Sequence, residues 1–369
     1  CIQGDATVVS PWSVQVNGEC ITARNIIIAT GAGPLVPSIP GLELVPYSTS
    51  DTVWSLEELP ARLVVVGGGP IGCELAQAFS RLGSEVTIID VANRLLPRED
   101  NDVAAAMTQC LEAENITIKT GHQVRVFAQD GEENHLLAEC DGKREKIVFD
   151  HVLLAIGRKP NSQNFGLEAL GLELANSGHI QVNEYLQTAV PTIYACGDVV
   201  GPYQFTHTAS HQAWFASVNA MFGTFRKFKV DYSVIPWCTF TDPEVARVGL
   251  SEADAAQQGI QVEVTRYELA EHDRALAEGN TVGFVKVLTP PGRDKILGAT
   301  IVGAHAGELL GEFVLAMKHG LGLNKILSTI HIYPTMLEAN KFAAGNWRKA
   351  NKPVWALTIA ERYHNWRRS

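Results

Sequence analysis

Several features are missing from these 369 residues, and each absence removes a class of function. No run of about eighteen apolar residues occurs, so no segment of this chain reads as membrane-spanning. No basic stripe offsets the net charge of -10, which argues against general phosphate-backbone binding, and no nucleic-acid partner is expected. The seven cysteines, at 1, 20, 73, 110, 140, 196 and 238, contain no CxxC or other close pair, so no metal site is expected. An odd, scattered set fits a reducing compartment, and the cytoplasm is the expected location. No basic n-region precedes an apolar stretch at the start, so a signal peptide is not expected. The chain opens on Cys1 rather than Met, from which a fragment of a longer protein is expected. Tandem repeats and low-complexity tracts are absent too.

What is present points to a globular enzyme of two or three domains, at 46% hydrophobic and 19% charged residues. Residues 26–33, IIIATGAG, read as a buried strand entering a glycine turn, and a similar phrase, VLLAIGRKPN, returns at 152–161. Between them lies VVVGGGPIGCELAQAFSRLGSEVTIID, a strand, a glycine turn, a helix and a second strand, hence one βαβ unit. Prolines at 34, 37, 40, 46 and 60 make 33–60 a linker, with a domain boundary near Ser50. The inner domain is expected to close near Gly157. From Pro236 onward strands precede helices, the pattern of an α+β domain.

Gly67, Gly69 and Gly72 supply GxGxxG directly between a strand and a helix. The first allows the tight turn, the second admits a pyrophosphate, and the third lets helix and strand pack closely. The N-terminal turn of the helix at Pro70 and Ile71 then offers N–H groups and a positive dipole end to phosphate. Asp90 ends the second strand, where a carboxylate accepts hydrogen bonds from ribose hydroxyls, so NAD is expected. Arg94 nearby keeps NADP open, since a guanidinium can hold a 2'-phosphate. Glu74, placed on the first helical turn, either favours the dipole or faces the nicotinamide. Asp198, after an apolar strand, is either a helix N-cap or a ligand contact. Cys73 and Cys238 read as core packing.

The ATG phrase at Ala29, Thr30 and Gly31, the GGGPIG unit, AIGRKPN, YACGDV and HIYPTMLE occur in one order. That order resembles the class I pyridine nucleotide-disulfide oxidoreductases, including mercuric reductase-like and dihydrolipoamide dehydrogenase-like flavoenzymes, over essentially the whole chain. The resemblance implies a homodimeric oxidoreductase using FAD and NAD(P)H, with a disulfide or metal ion as acceptor. It implies an α/β architecture in which a Rossmann-like NAD-binding domain (51–157) is inserted in a partial FAD-binding domain (1–50 and 158–235), followed by an α+β dimerisation domain (236–369). Ala29, Thr30, Gly31, Gly157 and Gly197 would bind cofactor, Asp198 would hydrogen-bond the ribityl chain of FAD, Glu74 would sit by the nicotinamide, and His207 and His211 would either lie near the flavin ring or be satisfied buried histidines.

Two departures from the family pattern stand out. The FAD-binding GxGxxG and the redox CxxxxC are not in this sequence, so the chain alone is expected to be inactive. The family's HPxxxE, a histidine oriented by a glutamate, reads Tyr333-Pro334-Thr335 with Glu338, and His331 stands two residues earlier. Tyrosine, with an ordinary pKa near 10, is a poor proton shuttle for a thiol at neutral pH. Tyr333, Glu338 and His331 are therefore the candidate catalytic residues at this end. The alternative reading is a non-catalytic dimeric nucleotide-binding module.

Overall fold

Short apolar, β-branched runs become buried strands wherever a second run lies close enough to pair, and here many partners are distant in sequence. The computed structural model describes residues 1–368. Its contacts divide them into two compact units: Cys1–Ala92 with Thr117–Tyr232, and Asn93–Ile116 with the chain from Ser233 onward.

The first unit holds an all-parallel five-stranded sheet centred on Arg62–Val66, flanked by His151–Leu154 and Glu85–Asp90. Thr117–Thr120 forms one edge. The other edge is Tyr47–Thr49, inside the stretch expected to be linker. It is a strand because His151–Leu154 supplies its parallel partner, and Ser48 Oγ meets His151 Nε2 at 2.8 Å. Helix Pro70–Leu82 links the first two central strands, buries Cys73 and Ala76, and ends at Gly83. Val64, Val66, Ile89, Val152 and Leu154 share a core with Phe127 and Phe149 of an antiparallel sheet made of Gln123–Asp130, Glu133–Cys140 and Lys143–Phe149. The two rings meet edge to face, 6.1 Å apart.

Around this insertion, Ala6–Ser10, Ser13–Val16 and Glu19–Thr22 form an antiparallel meander. Ile26–Ile28 pairs in parallel with Ile193–Ala195, and both feed a core with Val8, Leu167, Ile180 and Val199. The two glycine phrases meet each other directly: Ala32–Pro34 and Arg158–Pro160 form a two-stranded antiparallel ribbon.

In the second unit a five-stranded antiparallel sheet runs Pro236–Thr239, Glu244–Gly249, Gly298–Gly303, Phe284–Thr289 and Glu263–Glu268 in spatial order. Helix Ala306–Lys318 packs on the first half of it and Glu338–Ala350 on the second. Phe313, Ala339, Ala343 and Trp347 close the core against Val285, Val287 and Ile301. The expected α+β pattern is found, with further helices Leu323–Ser328 and Val354–Arg368. Among the described residues every cysteine is free, and no helix is long and apolar enough to cross a membrane.

Candidate functional site

The glycine turn is built as its spacing requires. Gly67 takes φ +114 and its N–H donates to the Ile89 carbonyl at 2.8 Å, so the turn is locked to the neighbouring strand. A Cβ on Gly72 would collide with the Gly67 carbonyl oxygen, whereas one on Gly69 would meet open space. Helix and strand thus approach through Gly72 while Gly69 leaves room for a ligand. Gly69 is the N-cap and gives no side-chain cap, and Pro70 takes the position that lacks an N–H. The first-turn N–H groups at Ile71 and Gly72 keep the character of an anion cradle. The residues present fit a dinucleotide pyrophosphate on this ground.

Asp90 is anchored on that turn. One carboxylate oxygen accepts the Gly68 N–H and the other the Ala92 N–H at 2.7 Å. Arg94, weighed as a phosphate holder, commits its Nη2 to the carbonyl oxygens of Pro97 and Glu99 at 3.0 and 3.3 Å. Glu74 is half-buried, and because the helix starts at Pro70 it stands at the fifth helical position rather than in the first turn. The dipole explanation for Glu74 weakens accordingly, since the effect falls off beyond the end turn. Burial, with Glu74 and Asp90 nearby, pushes the Cys73 thiol up to about 12, so it packs and does not react.

A second group lies where the two glycine phrases join. Thr30 Oγ1 donates to the Asn161 carbonyl at 2.5 Å, Asn161 Nδ2 returns to the Thr30 carbonyl at 2.9 Å, and Asn161 N–H reaches the Gly31 carbonyl. Ala29 is exposed beside them, and the Gly157 carbonyl takes the Leu35 N–H at 2.9 Å. Arg158, next to Gly157, donates to the Ala32 carbonyl and stands 3.6 Å from Asp51 and 3.7 Å from Asp198. Asp198 does not cap a helix, because the next one is Thr206–Phe222 with Phe205 as its N-cap. Instead its turn is held by Gln212, which is fully buried, accepts the Gly197 N–H at 2.6 Å and donates to Tyr232 Oη at 2.8 Å. Arg158, Asn161 and Gln212 were not singled out from sequence. Arg158 and Asn161 sit inside a quoted phrase, and Gln212 shares a buried face with Thr208, Ala216 and Asn219 at helical spacing. His207 and His211 are exposed on that helix, with His207 stacked on Phe205.

At the C-terminal motif the expected trio divides. Tyr333 is 67% exposed and donates its hydroxyl to Asp273 Oδ2 at 3.1 Å; that hydrogen bond raises its pKa and keeps the phenol protonated. Glu338 is buried and accepts the Thr335 N–H at 3.3 Å. His331 has its side chain nearly sealed, with Nε2 2.9 Å from Glu312 Oε1 and Nδ1 3.0 Å from the Thr329 carbonyl. Glu312 is steadied in turn by Asn340, and His272 grips the Thr335 carbonyl at 2.9 Å. Glu338, His331 and His272 brace the loop that presents Tyr333, and sequence reasoning missed the Asp273 partner 60 positions away.

Asp100, Asp102 and Glu252 come close enough together to chelate a cation, but Lys286 Nζ lies 2.7 to 2.9 Å from all three and supplies the positive charge itself.

Residues 1–213 match the pyridine nucleotide-disulphide oxidoreductase family and residues 235–344 match that family's dimerisation domain. The chain is 36% identical over 343 residues to mercuric reductase of Staphylococcus aureus, covering 93% of this chain and 62% of that protein. It is 36% identical over 352 residues to dihydrolipoyl dehydrogenase of Thermus scotoductus, covering 93% and 74%. It spans 62%, 54% and 64% of the lengths of three mercuric reductases that it matches. The fold superposes on the HOCl-induced flavoprotein disulfide reductase RclA from Escherichia coli with a TM-score of 0.85 at 28% identity, over 93% of this chain and 78% of that one. With more than half of its length inside the family match and both parts in the family's order, the chain belongs to the pyridine nucleotide-disulphide oxidoreductases.

Proposed function

We propose that the chain forms part of a flavin-dependent oxidoreductase that passes hydride from NADH to FAD and electrons onward to a disulfide or a metal ion, as a homodimer formed through the dimerisation domain matched at residues 235–344. The observation that carries this reading is the ribbon of Ala32–Pro34 with Arg158–Pro160, which joins the dinucleotide turn to the Gly31 and Gly197–Asp198 turns within one unit. Bound FAD supplies the two-electron relay between the nicotinamide and the acceptor.

The protein's own residues divide the remaining work. The Ile71 and Gly72 N–H groups take the pyrophosphate, Asp90 the adenosine ribose hydroxyls, and Glu74 the nicotinamide side. Asp198 accepts from the ribityl hydroxyls, with Arg158 fixing its carboxylate and Gln212 its backbone. Tyr333, kept protonated by Asp273, holds a proton at the acceptor side and does not remove one from a thiol. Rapid mixing of the flavin-loaded protein with NADH is expected to bleach the flavin absorbance, and no bleaching with either NADH or NADPH would falsify the proposal. These 369 residues contain no CxxxxC, so the chain by itself is expected to release no thiol from a disulfide when supplied with NADH.

NADH is proposed over NADPH because Asp90 would face a 2'-phosphate with like charge, while the Nη2 of Arg94 is held by backbone carbonyls. Such juxtapositions cost several kcal/mol, so NADH should bind at least ~10-fold more tightly than NADPH. In Asp90→Ser the ratio should fall towards one. Fluorescence titration of both nucleotides gives the answer, and an unchanged ratio removes Asp90 from the discrimination.

A further inference from the structure

The helix Val354–Arg368 lies beyond residue 344, where the match to the dimerisation domain stops. Along it Trp355, Ile359, Tyr363 and Trp366 recur at spacings of four, four and three, which places them in one stripe of an α-helix. All four are exposed, Trp355 at 71% and Trp366 at 72%. Single exposed hydrophobics are ordinary on a protein surface; a continuous stripe of three aromatic rings and an isoleucine is not.

Charge identifies what the stripe meets. The whole chain carries a net charge of -10, yet residues 348–368 hold six basic side chains against one acidic residue, Glu361. At 100° per residue Arg362 and Arg367 fall on opposite borders of the stripe, and the Arg367 guanidinium lies 6.0 Å from the Tyr363 ring. A second copy of the chain would oppose like charges there. An anionic bilayer surface matches both parts: indole and phenol rings settle at the boundary between headgroups and acyl chains, and guanidinium groups reach the phosphates. Glu361, Arg362, Arg367 and Arg368 interrupt any apolar run along it, and among the described residues no helix is long and apolar enough to cross a membrane, so it would lie along the surface.

We infer that Val354–Arg368 is an interfacial helix that docks the protein reversibly on anionic lipid. Co-sedimentation of the full chain with phosphatidylcholine vesicles, with and without phosphatidylglycerol, tests this. Binding is expected on the mixed vesicles, at least ~10-fold weaker on phosphatidylcholine alone, and sharply reduced between about 0.1 M and about 0.5 M salt. Trp355→Ser with Trp366→Ser should weaken binding ~10-fold or more without changing the melting temperature. Arg362→Gln with Arg367→Gln should flatten the salt dependence. No binding by the unmodified chain, or equal binding by the tryptophan variant, overturns the inference. So does a change of oligomeric state in that variant by light scattering, which would make the stripe a protein interface.

Discussion

Lys286→Met is expected to destabilise the protein by about 3–5 kcal/mol, the usual consequence of removing one member of a buried charge cluster. Lys286 is 2% exposed, and its ammonium is the cation shared by Asp100, Asp102 and Glu252. Burial alone would lower its pKa, but the hydrogen bonds it donates to the three carboxylates outweigh burial and raise it. Asp100 shows the counterpart: burial would raise its pKa, yet the bonds from Lys286 and from the Glu252 and Ala253 N–H groups hold it below the carboxylate range. Glu252 is nearly half exposed, so its share is discounted for screening. The pH dependence follows from these directions. The stability from Asp100 is complete above its unfolded pKa, near 4, and is lost as pH falls through the lower folded value. The stability from Lys286 is complete below its unfolded pKa, near 10.4, and is lost as pH rises through the higher folded value. The difference between native and variant proteins should therefore be full at neutral pH and shrink in acid. Urea unfolding at both pH values measures it, and equal midpoints at neutral pH would show the cluster to be inconsequential.

The second large effect concerns the dinucleotide turn. Gly72→Val should weaken NADH binding by ~100-fold or more, because the added side chain drives the helix away from the Gly67 carbonyl and misplaces the cradle N–H groups. Overpacking of this kind also costs about 1–3 kcal/mol of stability. Gly69→Ala separates the two consequences, since its Cβ meets nothing in the protein. Its melting temperature should match the native protein while NADH affinity drops. If Gly69→Ala binds NADH normally, the pyrophosphate does not lie against this turn.

Local patterns were legible in the sequence, and pairings across distance were not. The βαβ unit could be read because Arg62–Val66, the glycine turn and helix Pro70–Leu82 are contiguous and each carries its own period. Tyr47–Thr49 could not, because three residues among prolines show no alternation and their partner strand begins at His151. The helix start at Pro70 was legible from the glycine spacing, and Glu74, expected in the first turn, stands one position beyond it. Thr206–Phe222 hides its buried face behind the polar side chains of Thr208, Gln212 and Asn219, of which Gln212 and Asn219 tie turns together, and no apolar stripe is left to find. Tyr333 was visible as a departure from the family motif, whereas Asp273, which decides its protonation, became apparent only once the chain was folded.

The ribbon between Ala32–Pro34 and Arg158–Pro160 also bears on how the chain reaches its native state. Closed directly, it would confine a loop in which Arg158 and Ala32 are 126 positions apart. Once Tyr47–Thr49 and His151–Leu154 have paired, the free loop shrinks to about 18 residues, which lowers the closure entropy by ~1.7 kcal/mol. An inserted domain that brings its own two ends together acts as a preformed clasp, so the interrupted outer layer can assemble almost as though it had been continuous.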